Sequence, residues 1–261
     1  MKSGKIAAIL TIEGGHQIDN GLAVLRMYYR RGIRSMTLTH FRNTDWADSP
    51  TGQPAHNGLT DFGRDVVREM NRLGMLVDVS HVSDKTFYDV LAVSSKPVIA
   101  THSSCRALSD VPRNMTDDMI RALAKNGGVM GINFGEGFLS PKDAELLKAA
   151  VANISYHEPS LTGTALDAYA AEEFHKDMAA KLSNATIDDA VEHIQHVIEI
   201  AGFTSASAAI STASRPCPKD WKTSPGCPLS QRSCVTKVTT TSSFAVFGGN
   251  TLRVMREVMG K

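Results

Sequence analysis

The sequence lacks any marked excess of charge: 28 lysines and arginines stand against 27 aspartates and glutamates, for a formal net charge of +1. That balance leaves no electrostatic footprint for nucleic acid or for an acidic membrane surface. Also missing is any apolar run near the roughly 18 residues that a bilayer span requires. The start, Met1-Lys-Ser-Gly-Lys-Ile-Ala-Ala-Ile-Leu10, has the basic beginning and apolar stretch of a secretory leader. It breaks at Glu13-Gly-Gly-His16 without a small-residue cleavage pattern, so it reads as a strand, and a cytoplasmic chain is expected as encoded. Cysteine is scarce, with Cys105 alone and Cys217, Cys227 and Cys234 close together. Their spacing matches no usual zinc finger, and a disulfide framework would be odd in a chain this long.

What is present suits one large α/β domain. The 261 residues are 42% hydrophobic and 21% charged, enough to bury a core. Strand-like runs alternate with helical patterns five times up to Phe134. The strands are expected at Ile6–Ile12, Ser35–His40, Met75–Ser80, Pro97–Thr101 and Gly128–Phe134. Helices are expected from Asp19 to a stop at Gly32, from Thr60 or Asp61 to Leu73 with Gly74 as terminator, at Asp84–Val93 and at Thr116–Lys125. Such alternation predicts a parallel sheet with right-handed crossovers. Residues 135–185 interrupt the rhythm, with helix expected around Ala165–Leu182, and Asp188–Ala201 is an amphipathic helix closed by Gly202. From Phe203 to Ser243 the chain is crowded with Ser, Thr, Pro and Cys, Asp220 is its only acidic residue, and neither strand nor helix period is visible. Taken alone that composition reads as a loosely ordered segment. Patterning resumes as a terminal helix at Gly248–Met255.

Four of these strands end in groups that bind metal. His40 closes the second, His81 closes Asp78-Val-Ser-His81, and His102 follows Val98-Ile-Ala-Thr101; Glu13 closes the first. A histidine on an apolar segment is more often a satisfied core or loop residue, and that reading is given to His56, His157, His175, His193 and His196. His16 follows a double glycine and reads as a turn residue. A carboxylate closing a buried strand is costly unless it is paired or bound to metal. Four such groups at strand C-termini point to a metal site at the mouth of an α/β barrel.

Several ordered motifs carry a resemblance. Ile12-Glu-Gly-Gly-His-Gln-Ile-Asp19, Thr37-Leu-Thr-His-Phe-Arg-Asn43, Trp46-Ala-Asp-Ser49, Gly58-Leu-Thr-Asp-Phe-Gly63 and Asn71-Arg-Leu-Gly74 resemble the membrane (renal) dipeptidase family of zinc peptidases. So do Asp78-Val-Ser-His81, Thr101-His-Ser-Ser104 and Arg113-Asn114 with Asp117-Asp118. The resemblance implies an amidohydrolase-like (β/α)8 TIM-like barrel that hydrolyses dipeptides with two Zn2+ per chain. By that resemblance Glu13 bridges the metals, His81 and His102 ligate one of them, His40 polarises the substrate carbonyl, and Arg113 pairs with the substrate's terminal carboxylate. The residue types suit those tasks: zinc takes imidazole nitrogen and carboxylate oxygen, and a guanidinium fork grips a carboxylate in bidentate fashion.

Two departures shape the expectation. The family's first strand carries His-x-Asp, which ligates the other zinc, and nothing before Glu13 supplies it. The family's last strand reads Gly-Ser-Asp-Phe-Asp-Gly and supplies an acid/base aspartate just after the position of Gly202; here stands Ala208-Ala-Ile-Ser-Thr-Ala213. Those six residues can be written GCA GCG ATT TCG ACG GCA. With a G in front, the same bases read GGC AGC GAT TTC GAC GGC, which is the family's strand. The expectation is therefore an incomplete barrel over residues 1–202, an out-of-frame segment at 203–247 and a barrel helix at 248–261. One zinc site would be incomplete and dipeptide hydrolysis impaired, with a non-catalytic or single-metal-binding relic of the same fold as the alternative. Open sheet edges would invite self-association, with a homodimer as the simplest form.

Overall fold

The computed structural model describes residues 8–157, 184–202, 206–207 and 249–260. The chain forms two compact units, residues 1–100 with 126–128 and 252–261, and residues 101–125 with 129–251.

In the first unit strand β1 (Leu10–Glu13) leads through a 3-10 turn (Gly15–Ile18) to α1 (Leu22–Arg30) and β2 (Ile33–Thr37). Then come α2 (Asp61–Leu73), β3 (Leu76–Asp78), α3 (Asp84–Val93) and β4 (Ile99–Ser103), whose last residues enter the second unit. Each strand pairs in parallel with the next, with Glu13 opposite Thr37, Thr37 opposite Asp78 and Asp78 opposite Ile99. The C-terminal ends of β1, β2 and β3 therefore share one rim, which is what positions the site.

Local chemistry sets the helix ends. Thr60 Oγ1 accepts the Gly63 amide at 3.2 Å and Ser83 Oγ accepts the Thr86 amide at 3.2 Å, so one orphan donor at each helix start finds a partner. Gly74 closes α2 at φ 75°, a conformation that glycine adopts without a Cβ penalty. The faces of α1, α2 and α3 that carry Leu25, Val66, Val67, Met70, Phe87 and Val90 are buried with Met36 and Val77 of the sheet. Glu69 of α2 receives Arg26 of α1 at 2.6 Å and Arg72 at 2.7 Å. The expected bounds of α2 and α3 agree with the structure.

The second unit continues β4 into α4 (Asp117–Lys125) and β5 (Val129–Ile132), then α5 (Glu136–Leu139), α6 (Pro141–His157), α7 (Ile187–Ala201) and β6 (Ala206–Ser207). β6 pairs in parallel with β5, Met130 opposite Ala206. Helix α8 (Asn250–Met259) begins here and runs into the first unit, where Arg253 donates to the Gly127 carbonyl at 2.8 Å. Thr186 and Asp189 form a capping box at the start of α7.

Three findings differ from the expected layout. β2 and β3 end at Thr37 and Asp78, so His40 and His81 each lie three residues beyond a strand, in the loops that cover its end. The stretch after Phe134 contains the long helix α6, which starts at Ser140-Pro141. Within the span expected to be loosely ordered, Ala206–Ser207 forms a short strand. The helix expected around Ala165–Leu182, the rest of Phe203–Ser243 with Cys217, Cys227 and Cys234, and His175 lie outside the described residues, as does the side chain of His157. Among the described residues no helix is long and apolar enough to cross a membrane.

Candidate metal centre

Glu13 is the last residue of β1, and its side chain is half exposed. His81 Nε2 lies 3.3 Å from Glu13 Oε1 and His40 Nε2 lies 3.8 Å from the same oxygen. One ligand atom from each of the three lies within 4.8 Å of the other two, the one such cluster of three or more among the described residues. Donors about 2.0–2.1 Å from a tetrahedral zinc stand about 3.3–3.4 Å apart. The Glu13–His81 pair already has that spacing, and the His40–Glu13 separation exceeds it by about half an ångström. The donor set of one carboxylate oxygen and two imidazole nitrogens therefore fits zinc.

The neighbourhood explains how these groups come together. Gly14 has φ 101°, a left-handed backbone that side chains rarely adopt. At Gly15 a Cβ would stand 2.5 Å from the Leu38 carbonyl and from the Trp46 ring, so only glycine lets β1's exit lie against the segment after β2. The Gly15 amide donates to that Leu38 carbonyl at 3.2 Å. His16 faces the same loop, with Nε2 3.1 Å from the Asn43 carbonyl.

The loop after β2 is held by polar side chains. Ser49 Oγ donates to the His40 carbonyl at 2.9 Å, and Thr51 Oγ1 donates to the Phe41 carbonyl at 2.6 Å. The buried carboxylate of Asp48 accepts the amides of Ala55, His56 and Gly58 at 3.0–3.1 Å. Its backbone carbonyl accepts the Ser83 amide and the Thr86 hydroxyl, both at 2.9 Å. The loop bearing His40 is thus tied to the segment that follows His81. Phe41 packs beside both imidazoles, tilted 4.3 Å from the His40 ring and edge-on 5.5 Å from His81, and stays 45% exposed.

His81 is 5% exposed and has φ 62°, unusual for a residue with a Cβ. Thr37 Oγ1 donates to Asp78 Oδ2 at 2.9 Å, and Asp78 Oδ1 accepts the Ser80 amide at 2.9 Å. Thr39 Oγ1 donates to the His81 carbonyl. Three short polar side chains therefore fasten the turn between β3 and His81.

The two remaining expected residues stand in the second unit. His102 is half-buried on β4, with Nδ1 2.7 Å from Thr101 Oγ1. Arg113 is not a surface loop arginine: it is 6% exposed, donates to the His102 carbonyl at 3.0 Å and lies 5.6 Å from the Phe138 ring centre. The structure thus brings together Glu13, His40 and His81, and separately joins Arg113 to the end of β4. His193 is a core residue, with Nδ1 accepting the Cys105 amide at 2.9 Å and Nε2 3.1 Å from the Leu139 carbonyl. His196 pairs with Asp117 at 2.8 Å. The supporting roles of Thr39, Asp48 and Gly15 went unread in the sequence, where only the Gly-Gly pair and the run of small polar residues gave a signal.

The profile of the membrane dipeptidase family (peptidase family M19) matches residues 1–260. The chain belongs to this family. An uncharacterised dipeptidase of Schizosaccharomyces pombe is 38% identical over 204 residues, 77% of this chain and 40% of that protein. The chain spans two fifths or less of the length of the curated relatives it matches. Among solved structures, the probable dipeptidase PvdM from Pseudomonas aeruginosa superposes with a TM-score of 0.82 at 24% identity, covering 98% of this chain and 70% of PvdM. A metallo peptidase from Rhodobacter sphaeroides, solved with a phosphinate mimic of the dipeptide L-Ala-D-Ala, has a TM-score of 0.74 at 22% identity, covering 96% and 63%. At those identities the likeness carries the fold, an α/β partial barrel of the TIM-like kind expected from the alternation of strands and helices.

Proposed function

We propose that this dipeptidase-family chain is a metal-dependent hydrolase of dipeptides. The observation that carries the reading is the convergence of two imidazole nitrogens on one carboxylate oxygen at the shared rim of β1, β2 and β3. Glu13 and His81 would hold zinc, and the family resemblance adds His102 as a further ligand. When bound, zinc supplies Lewis acidity and lowers the pKa of water to the neutral range.

The chain's own residues do the rest. His40, with its side chain 35% exposed, is the more open of the two imidazoles in the cluster and can donate from Nε2 to a peptide carbonyl as negative charge gathers on its oxygen. Arg113, carried over by resemblance, would grip the substrate's terminal carboxylate and so restrict the enzyme to short peptides. Phe41 shields the imidazoles on one side from water.

A second reading, a single-metal-binding protein without turnover, is favoured by one observation: Glu13, His40 and His81 by themselves offer three donors for one ion. Metal analysis of the purified chain, alongside amine release from a panel of dipeptides, separates the two. Zinc with hydrolysis that is lost in Glu13→Gln and restored by zinc after chelation supports the enzyme. One zinc per chain with no hydrolysis of any dipeptide supports the second reading, and a chain that takes up no zinc overturns both.

A further inference from the structure

The loop residue that presents His81 is held in a conformation its own sequence does not favour. His81 lies in the left-handed region at φ 62°, where a Cβ crowds the backbone, and nothing in Asp78-Val-Ser-His81 supplies a glycine to relieve it. Such a residue persists only where its surroundings over-determine it. Asp78 accepts the Thr37 hydroxyl and the Ser80 amide, which fastens the chain one residue before His81. At His81 itself the contact from the neighbouring strand's extension is the hydroxyl of Thr39, which donates to the His81 carbonyl. Thr39 is completely buried, so no bulk water can take its place on that carbonyl.

We propose that Thr39 is a positioning residue for the metal centre: its hydroxyl holds the His81 backbone left-handed, which aims the imidazole at Glu13. Thr39 also stands next to His40, so one residue sets the backbone of one imidazole and adjoins the other. The inference rests on the reading of Glu13 and His81 as metal ligands. A backbone anchor of this kind acts as the outer partners of metal ligands do, whose loss weakens affinity about 10–100-fold.

The test compares Thr39→Val, which keeps the shape and removes the donor, with Thr39→Ser, which keeps the donor. Zinc affinity is read by competition with a chelating dye, and thermal unfolding of the metal-free chain is read beside it. The expected result is that Thr39→Val weakens zinc binding about 10–100-fold while its metal-free chain stays folded and melts a few degrees lower, as a buried carbonyl without a donor requires, and that Thr39→Ser binds and melts like the natural chain. A Thr39→Val chain that binds zinc like the parent overturns the inference while leaving the metal centre standing. So does one that loses stability in the metal-free form with no change in affinity. Should Thr39→Val not fold, Thr39→Ser against Thr39→Ala makes the same comparison, and equal affinity in that pair overturns it. A parent chain that binds no zinc removes the metal reading itself, and this inference with it.

Discussion

Both ring nitrogens of His193 have backbone partners, and burial is the main reason its pKa falls to about 4 from an ordinary 6.5. The Leu139 hydrogen bond and the charge of Asp189 act the other way and are outweighed, while His196 adds to the depression. The consequence for stability has a definite sign. Above about pH 6.5 the imidazole is neutral in both states; as pH falls toward 4 the unfolded chain takes up a proton that the folded chain refuses. Stability should therefore drop by about 2 kcal/mol between pH 7 and pH 5. His193→Ala should cost about 2–4 kcal/mol at pH 7, through a cavity and two backbone groups left without partners. It should also remove most of that pH dependence, measured by urea unfolding at the two pH values. Burial likewise pushes the Cys105 thiol well above the usual range, which argues against a nucleophilic role. At this scale the sequence was half legible. Glu13, His40 and His81 announced themselves because each is a metal-competent side chain at the end of a strand-like run. Thr39, Asp48 and Gly15 did not, because what they touch lies on the neighbouring strand or in a loop that only the fold brings near.

The elements whose bounds were readable are those whose ends are settled by local chemistry. Thr60 and Gly74 delimit α2, and Ser83 opens α3, each through a contact within a few residues. Strand ends were less readable, since Leu38–His40 and Val79–His81 continue the apolar pattern after the ladder has stopped. Helix α6 was passed over although serine then proline at its start is a common opening, with proline at the first helical position where its missing N–H is no loss. What joins one helix to another can be tested at Glu69. The hydrogen bond from Arg72, with help from Arg26, holds its carboxyl at about 2, below the ordinary 4.5, and outweighs the opposing effect of burial. A depressed carboxylate contributes stability above its unfolded pKa and loses it as pH falls toward 2. Arg26 and Arg72 are 42% and 62% exposed, so water screens the pairs. Glu69→Gln should accordingly cost about 1 kcal/mol at pH 7 and almost nothing at pH 2, read from thermal midpoints across that range.

For the whole molecule, alternation of strand and helix made the α/β class legible, since period and length differ so plainly between the two. The segment 203–247 was legible only as an anomaly, and apart from Ala206–Ser207 it lies outside the described residues. We propose that this segment is read out of frame. Sequencing the locus should find two compensating single-base changes bracketing codons 203–247, and a continuous frame with neither would end the proposal. Correcting the frame should raise dipeptide hydrolysis over the chain as given, because it replaces Ala208-Ala-Ile-Ser-Thr-Ala213 with a strand that carries carboxylates.

Asp48 has a kinetic consequence. One carboxylate holds the amides of Ala55, His56 and Gly58, and one carbonyl of the same residue holds Ser83 and Thr86. All five groups share one residue as acceptor, so they should open as a block. Deuterium uptake at the four amides of Ala55, His56, Gly58 and Ser83 should proceed with a common protection factor, and Asp48→Asn should accelerate all four together.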